Sequence, residues 1–172
     1  PFGEFLPFEK ILGSIGLKSL TNNYQSYSSG KKRDVVNINQ NDFVLKLLPL
    51  ICYEIIYSGE IFKNSEFEYI INISEDGWFG NSIGPKQHFI HSIFRAIESG
   101  KYLIRSANNG ITAIINPKGI IEKKIQLGDS GYIDFSKKKI TDKTMFSTHG
   151  NKMFLIIILL YIFLIISFNR IS

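Results

Sequence analysis

The sequence predicts a layered α/β fold that is followed by an apolar C-terminal helix. Short apolar runs with the length of strands alternate with a longer stretch in which apolar residues recur at helical spacing. The segment 153–168 near the C-terminus is almost wholly apolar. With 44% hydrophobic and 20% charged residues among 172, the composition suits a folded domain with a sizeable core and argues against disorder.

Four apolar runs predict β-strands, at 44–51, 69–74, 102–106 and 110–115. The last run is followed by Asn116-Pro117-Lys118-Gly119, a composition that is typical of a turn. We therefore expect the fourth strand to form a hairpin with the segment 120–125.

A helix is predicted over 82–100, between the second and the third strand. Gly100 stands where a helix cap belongs. The apolar residues of this stretch recur at helical spacing and are expected to form its buried face: Phe89, Ile93, Phe94 and Ile97. By contrast, 10–42 is rich in Ser, Asn, Gly and Lys and has little periodicity, which predicts an irregular segment.

The apolar stretch 153–168 is interpreted as a transmembrane helix. Lys152 and Arg170 bracket it with charges that can reach the membrane interface. As a helix it would rise about 24 Å, somewhat less than the roughly 30 Å of a bilayer's hydrocarbon core. A buried core helix is the alternative, although a helix that is apolar on every face has no side to offer the solvent.

The distribution of charge argues against one class of partner. The net charge is +5 at pH 7, but Lys and Arg are scattered and no run of them alternates with aromatic residues. We therefore predict no nucleic-acid partner, and basic residues beside an apolar segment suit anionic lipid better. His88 and His91 are close in sequence, but only the distant His149 could complete a set of imidazoles. We predict no metal site and interpret His88 as a helix-surface or packing residue.

Cys52 is the single cysteine of the chain, so it is either an apolar filler or a reactive thiol. It follows an apolar strand, and the next residues can turn directly into a helix. At such a turn a nucleophile is exposed at the sheet edge, and the first helix amides favour a thiolate and can donate to an oxyanion. This placement favours catalysis. Glu54 would lie beside the thiol, either organising a base or cationic partner or standing as a solvated carboxylate at a helix start.

Several short sequence motifs together resemble those of a known family. Ile51-Cys52-Tyr53-Glu54 resembles the nucleophile motif of the nitrilase superfamily, in the form used by apolipoprotein N-acyltransferases. Pro1-Phe2-Gly3-Glu4-Phe5-Leu6-Pro7 resembles that family's PFGE motif, and Asp76-Gly77-Trp78-Phe79-Gly80 resembles its WFG loop. Arg105-Ser106-Ala107-Asn108-Asn109-Gly110 resembles a later phrase of the family, in the same order. The match extends over residues 1–135 and the terminal helix.

The resemblance implies a fold and a reaction. The fold would be a partial nitrilase-like αββα sandwich over 1–150, with a transmembrane anchor over 151–172, outside the inner (cytoplasmic) membrane of a bacterium. Cys52 would take an acyl chain from a phospholipid as a thioester and pass it to the N-terminal amine of diacylglyceryl-cysteine in an apolipoprotein. This would be the last step of lipoprotein maturation, carried out by a monomer without a cofactor.

The resemblance also implies roles for individual residues. The family uses a Glu-Lys-Cys triad, of which this chain contains only Cys52; the Lys and Glu would fall upstream of Pro1. We therefore expect the chain to be part of a longer protein and to be inactive alone. Glu4 and Glu54 would support the triad, and Tyr53 would follow the nucleophile as in the family motif. A loop near the acyl entrance would contain Trp78 and Phe79.

Plainer interpretations of these residues stay open, as do two other functions. Glu4 could be an exposed loop carboxylate, and Trp78 a core or interface aromatic. A nitrilase-type amidase for small amides would use the same nucleophile but would lack the C-terminal span. A membrane-tethered binding module that has lost its triad would have no need for Cys52, Glu54 and Glu4 together.

Overall fold

A computed structural model of the chain describes residues 34–40, 43–59, 61, 66–136, 138–139 and 141–171. The prediction for Glu4 therefore lies outside the described residues, as does most of the irregular segment expected over 10–42.

Within the described residues, six strands form one mixed sheet in sequence order. The strands are β1 (Val36–Gln40), β2 (Phe43–Ile51), β3 (Tyr69–Glu75), β4 (Tyr102–Asn108), β5 (Thr112–Ile115) and β6 (Ile121–Ile125). The central strands β2, β3 and β4 run parallel, while β1, β5 and β6 pair antiparallel with their neighbours. The parallel centre places the carboxyl ends of three strands along one edge of the sheet.

The predicted strands and the hairpin are confirmed within one or two residues of their bounds, and β5 pairs antiparallel with β6. The prediction of an irregular segment was wrong at β1, which pairs with β2 from Val36 to Gln40. The alternating Asn and apolar residues of β1 suit the exposed outermost strand of a sheet. The extended conformation of β1 depends on its pairing with β2 rather than on a hydrophobic periodicity of its own.

Helix α1 spans Gly84–Ser99 and packs against β4. Pro85 suits the first turn, and Gly100 ends the helix in the left-handed conformation with φ 66°. The predicted buried face was partly wrong, since Phe94 is 50% and Ile97 44% exposed. Beside Phe89 and Ala96, the helix buries polar side chains: His88, Ser92, Arg95 and Ser99. His88 faces Asp76 after β3, whereas Arg95 donates to the carbonyl of Ile56 outside the sheet. The apolar pattern could not indicate these partners.

The apolar core lies between α1 and one face of the sheet. The alternating residues Leu48 and Leu50 of β2, Ile70 of β3 and Leu103 of β4 are fully buried on this face. Each such side chain contributes about 1.5–3 kcal/mol of transfer free energy. This burial fixes the register of the parallel strands.

Two helices follow the sheet. Helix α2 (Met145–His149) begins after Thr144, whose hydroxyl accepts the amide of Ser147 at 2.9 Å. Helix α3 (Lys152–Ile171) confirms a helix over the predicted apolar stretch. However, none of the helices in the described part of the chain combines the length and apolar composition needed to cross a bilayer. The predicted transmembrane span is therefore not confirmed.

Candidate active site around Cys52

The candidate nucleophile lies where β2 ends. Cys52 opens a short 3-10 helix, Cys52–Ile56, which we call the nucleophile turn. Its φ of 48° is in the left-handed region, which costs a side-chain-bearing residue about 1–2 kcal/mol. Strained backbone of this kind clusters at active sites because the surrounding structure must hold it. The thiol is partly exposed at the carboxyl edge of the sheet, as the sequence predicted.

Hydrogen bonds from both sides hold the nucleophile turn. The Glu54 carboxylate accepts the amide of Ile51 at 2.7 Å, which closes the turn from within. From β3, the Asn72 side-chain amide donates to the carbonyl of Leu50 at 3.0 Å and to that of Cys52 at 3.4 Å. The predicted role of Glu54 toward a base or cation stays a prediction.

The sulfur of Cys52 faces the end of β3. Its Sγ lies 3.9 Å from the backbone oxygen of Glu75 and 3.7 Å from the hydroxyl of Ser74. The Ser74 hydroxyl donates its one proton to Asp76 Oδ1 at 2.7 Å, so its lone pairs can accept the thiol proton. When the thiol ionises, the same hydroxyl can rotate and donate to the thiolate.

Beneath the turn lies a buried ionic cluster. Asp76, which is 0% exposed, accepts two hydrogen bonds from Arg105 Nη2, at 2.7 and 3.0 Å, and lies 2.9 Å from His88 Nδ1. Burial alone would raise the pKa of Asp76, but the contacts with His88, Arg105 and Ser74 outweigh it and hold this pKa below its ordinary value. The carboxylate is therefore the ionised centre of the cluster.

Arg105 uses its remaining donors on uncharged groups. Nε donates to the carbonyl of Ile111 at 3.2 Å, and Nη1 donates to Asn72 Oδ1 and lies 3.5 Å from the hydroxyl of Ser92. The guanidinium thus links β3, β4 and α1 below the nucleophile.

Helix α1 also holds the far end of the nucleophile turn. Arg95 donates to the carbonyl of Ile56 at 3.1 Å and pairs with Glu98 at 2.8 Å. The Ser58 hydroxyl donates to the same Glu98 oxygen at 2.8 Å. Burial raises the pKa of Glu98 although Ser58 and Arg95 oppose the shift. At the other end of the turn, His88 Nε2 lies 3.3 Å from the carbonyl oxygen of Cys52, so α1 contacts the turn at both ends.

Aromatic rings form a wall beside the nucleophile turn. The ring of Tyr53 lies 5.5 Å from His88 and 6.5 Å from Phe79, and Phe79 lies 5.4 Å from His88. A cavity of about 460 Å³ opens against these rings. The adjacent Trp78 is 88% exposed, which rules out the core interpretation of this side chain and leaves it available for contact.

Hydrogen bonds join the ends of β3 and β4 and the loops after them next to Asp76. The Glu75 carboxylate accepts hydrogen bonds from the amide of Gly77 at 2.7 Å and from the side chains of Asn108 and Asn109, which lower its pKa. Gly110 approaches Asp76 so closely that an added Cβ would collide with the carboxylate. The segment Asn108-Asn109-Gly110 thus lies against both Glu75 and the Asp76 carboxylate of the ionic cluster.

The structure brings some of the predicted residues together and adds others. Cys52, Tyr53 and Phe79 meet at one edge of the sheet, and Glu54 lies in the same turn. Sequence reasoning missed the buried polar residues that surround them: Asn72, Ser74, Asp76, His88 and Arg105. His88 is a packing residue, as one of the two interpretations held, and not a surface one. In the described part of the chain, no cluster of three or more His, Cys, Asp or Glu could hold a metal.

Comparisons with known proteins identify the family of the chain. The sequence model of the carbon-nitrogen hydrolase family matches residues 15–134. An apolipoprotein N-acyltransferase of Rickettsia typhi is 44% identical over 153 residues, 88% of this chain and 30% of that protein. Its namesake in Rhodopseudomonas palustris is 36% identical over 171 residues, 99% of this chain and 31% of that protein. The chain thus spans about a third of the length of these relatives.

Among solved structures, the NitN amidase of a Nesterenkonia species aligns with a TM-score of 0.44 at 15% identity, covering 59% of this chain and 42% of that one. This likeness is too small to add to the assignment. The family match covers most of the chain and includes the mixed sheet with Cys52 at its edge, which confirms the nitrilase-like α/β fold. The chain belongs to the carbon-nitrogen hydrolase family.

Proposed function

We propose that this chain supplies the cysteine nucleophile of an apolipoprotein N-acyltransferase. The observation that carries the proposal is the placement of Cys52, in a strained turn at the carboxyl edge of the parallel strands and above an ionic cluster. The relatives that bear this name support the same reaction class. The remaining Glu and Lys of the triad are proposed to come from elsewhere in the intact protein, so that the chain alone is inactive.

The proposed reaction has two halves. In the first, the Cys52 thiolate attacks the ester carbonyl of a phospholipid, forms a thioester and releases a lysophospholipid, whose alkoxide takes a proton from the triad's Glu acting as general acid. In the second, the amine of a diacylglyceryl-cysteine attacks the thioester, forms an amide and returns the thiolate, while the same Glu accepts the proton of the amine. Ester and amine are thus converted into alcohol and amide.

The proposed substrate contacts lie beside the turn. Tyr53, Phe79 and the exposed Trp78 offer aromatic surface for an acyl chain, and the cavity of about 460 Å³ opens against two of these rings. Glu54 and Glu4 are proposed to support the triad. We place the protein at the bacterial inner membrane, with this domain on the extracytoplasmic side. Exposed apolar side chains along α3 support contact with lipid.

A second candidate is an amidase of the same superfamily. The family description favours it, because hydrolysis of a carbon-nitrogen bond would use the same thioester intermediate with an amide as donor and water as acceptor. The two candidates differ in the acyl donor that loads Cys52, a phospholipid ester or a small amide.

Mass spectrometry of the intact protein in phospholipid micelles would test the proposal. We expect a fatty-acyl mass increment that neutral hydroxylamine removes and that Cys52→Ala abolishes, with Cys52→Ser as a second control. An increment obtained only with small amides would favour the amidase. An acyl adduct that persists in Cys52→Ala would rule out the proposed nucleophile.

A further inference from the structure

We propose that His88 is the positioning residue of the nucleophile turn and that its Nε2 donates a hydrogen bond to the carbonyl of Cys52. The observation behind it is geometric: Nε2 lies 3.3 Å from the Cys52 oxygen and Nδ1 lies 2.9 Å from Asp76 Oδ1. The inference rests on the proposed nucleophilic role of Cys52.

These contacts complete a closed ring that begins and ends at Cys52. From Sγ it passes to the Ser74 hydroxyl at 3.7 Å, then to Asp76 at 2.7 Å, and through His88 back to the carbonyl of Cys52. Apart from Cys52, every member is at most 6% exposed, so water cannot replace a lost partner. The ring therefore couples the position of the sulfur to that of the carbonyl in the same residue.

The two ring nitrogens of His88 face different neighbours. Nε2 faces the carbonyl oxygen of Cys52, which can only accept a hydrogen bond, so this contact requires a proton on Nε2. Nδ1 lies 2.9 Å from Asp76 Oδ1 and 3.2 Å from Arg105 Nη2.

The charges around His88 come from every element packed on it. Asp76, after β3, supplies the negative charge, and Arg105 of β4 supplies a positive one. The ring of Tyr53 in the nucleophile turn lies 5.5 Å from the His88 ring at an angle of 39°, and His91 of α1 interacts electrostatically with His88. Asp76 Oδ1 lies 3.0 Å from Arg105 Nη2 and 2.9 Å from His88 Nδ1.

Fixing the carbonyl of Cys52 also fixes the strained φ of that residue. The only other donor that the described residues offer to this carbonyl is the longer contact from Asn72 at 3.4 Å. Without the Nε2 proton, the turn can relax toward ordinary backbone angles and move the sulfur. Misplacement of a nucleophile lowers the rate of the chemical step rather than the affinity for substrate.

Two isosteric variants separate positioning from space filling. In His88→Gln the side-chain amide can take the place of Nε2 and donate to the Cys52 carbonyl, whereas in His88→Asn it can take the place of Nδ1 and reach only Asp76. His149→Asn is the matched control, since His149 lies on the exposed helix α2. For each variant of the intact protein, thioester formation from phospholipid and alkylation of Cys52 by iodoacetamide would be measured across pH.

We expect His88→Asn to slow thioester formation at least about tenfold in kcat with little change in KM, because near-attack alignment is lost. His88→Gln should stay within about threefold of the parent, because it keeps the donor to the Cys52 carbonyl. Equal rates for Gln and Asn, or no loss in Asn, would overturn the proposal. If the parent is alkylated but never forms a thioester, the proposed function fails instead.

A measurement on the unchanged protein covers the case in which His88→Asn does not fold. Long-range ¹H–¹⁵N correlation spectra of protein labelled at histidine report whether each ring nitrogen carries a proton. We expect a protonated Nε2 for the imidazole whose resonances disappear in His88→Gln. An unprotonated Nε2 would overturn the proposal.

Discussion

The amino-terminal and carboxyl-terminal halves of the parallel strands β3 and β4 are buried to the same extent. The first half buries apolar side chains, whereas the second buries polar ones. On the face that α1 covers, β3 passes from Ile70 to Asn72 and Ser74, and β4 passes from Leu103 to Arg105. All five side chains are at most 6% exposed. The amino-terminal half of this face forms the apolar core, whereas the carboxyl-terminal half forms the polar cluster under Cys52. Burial alone therefore does not distinguish stabilising positions from positions that serve a site.

The difference lies in what each half contributes. Apolar side chains stabilise the fold in proportion to the area they bury, and they tolerate volume-conserving replacement. A buried ion pair contributes little net stability, because desolvation offsets the attraction, but the loss of one partner leaves the other charge uncompensated. We infer that Asp76 and Arg105 fix the positions of the side chains at the strand ends, while Ile70 and Leu103 stabilise the packing of the sheet against α1.

The largest effect on stability is expected from Arg105→Met. It leaves the carboxylate of Asp76 buried without its guanidinium, at a cost of about 3–5 kcal/mol in the free energy of unfolding. Denaturant unfolding would measure this loss. The double variant with Asp76→Asn should recover part of it, and equal stability of the single and double variants would contradict the account.

Leu103→Ala tests the other half of the same strand. We expect a loss of about 3 kcal/mol in the free energy of unfolding, because a cavity forms in the apolar core. The folded variant should still alkylate at Cys52 with iodoacetamide within about twofold of the parent rate, because the cluster is left intact. A much slower reaction would show that the two halves are not separable.

A smaller loss is expected from Gly110→Ala. The new Cβ would collide with the Asp76 carboxylate, and relief of that overlap costs about 2 kcal/mol. Thermal unfolding would show the loss, with Gly128→Ala as a control in which an added Cβ meets nothing within 4 Å. Because φ is 90° at Gly128, the control carries backbone strain but no clash. If Gly110→Ala were no less stable than that control, the close approach of Gly110 to Asp76 would not affect the stability of the protein.

The pH dependence of stability gives the smallest effect. The pKa of Asp76 is lower in the folded protein than its ordinary value of 3.8, so its contribution is present above that pH. It is lost as pH falls through the folded pKa. Asp76→Asn should be less stable at neutral pH and should lose less stability on acidification. Parallel acid unfolding curves for parent and variant would contradict this assignment.

Much of the fold follows from apolar periodicity, and the exceptions have physical reasons. β2 and β3 could be predicted because their burial alternates or runs continuously, which the sequence displays directly. The orientation of α1 could not, because His88, Ser92 and Arg95 are buried by partners elsewhere in the chain. Helical periodicity of apolar residues assumes an apolar neighbour, and α1 instead packs partly on polar strand ends.

The site, like the fold, could be predicted only in part from the sequence. The placement of Cys52 could be predicted because the residue directly follows an apolar strand, where the turn exposes a thiol at the sheet edge. The ionic cluster could not, since Asp76 and Arg105 are 29 positions apart and only the parallel pairing of β3 and β4 brings them together. One signal was available: Arg105 is a charged residue at an inward position of an otherwise apolar predicted strand.

The most direct test of the central claim is intact-mass analysis of the full protein with phospholipid, before and after neutral hydroxylamine. The account predicts a fatty-acyl increment that hydroxylamine removes and that Cys52→Ala lacks, while Leu103→Ala still acquires it once folded. A folded, alkylatable protein that never acquires the increment would contradict acyl transfer from phospholipid. An increment that persists in Cys52→Ala would contradict the assignment of the nucleophile itself.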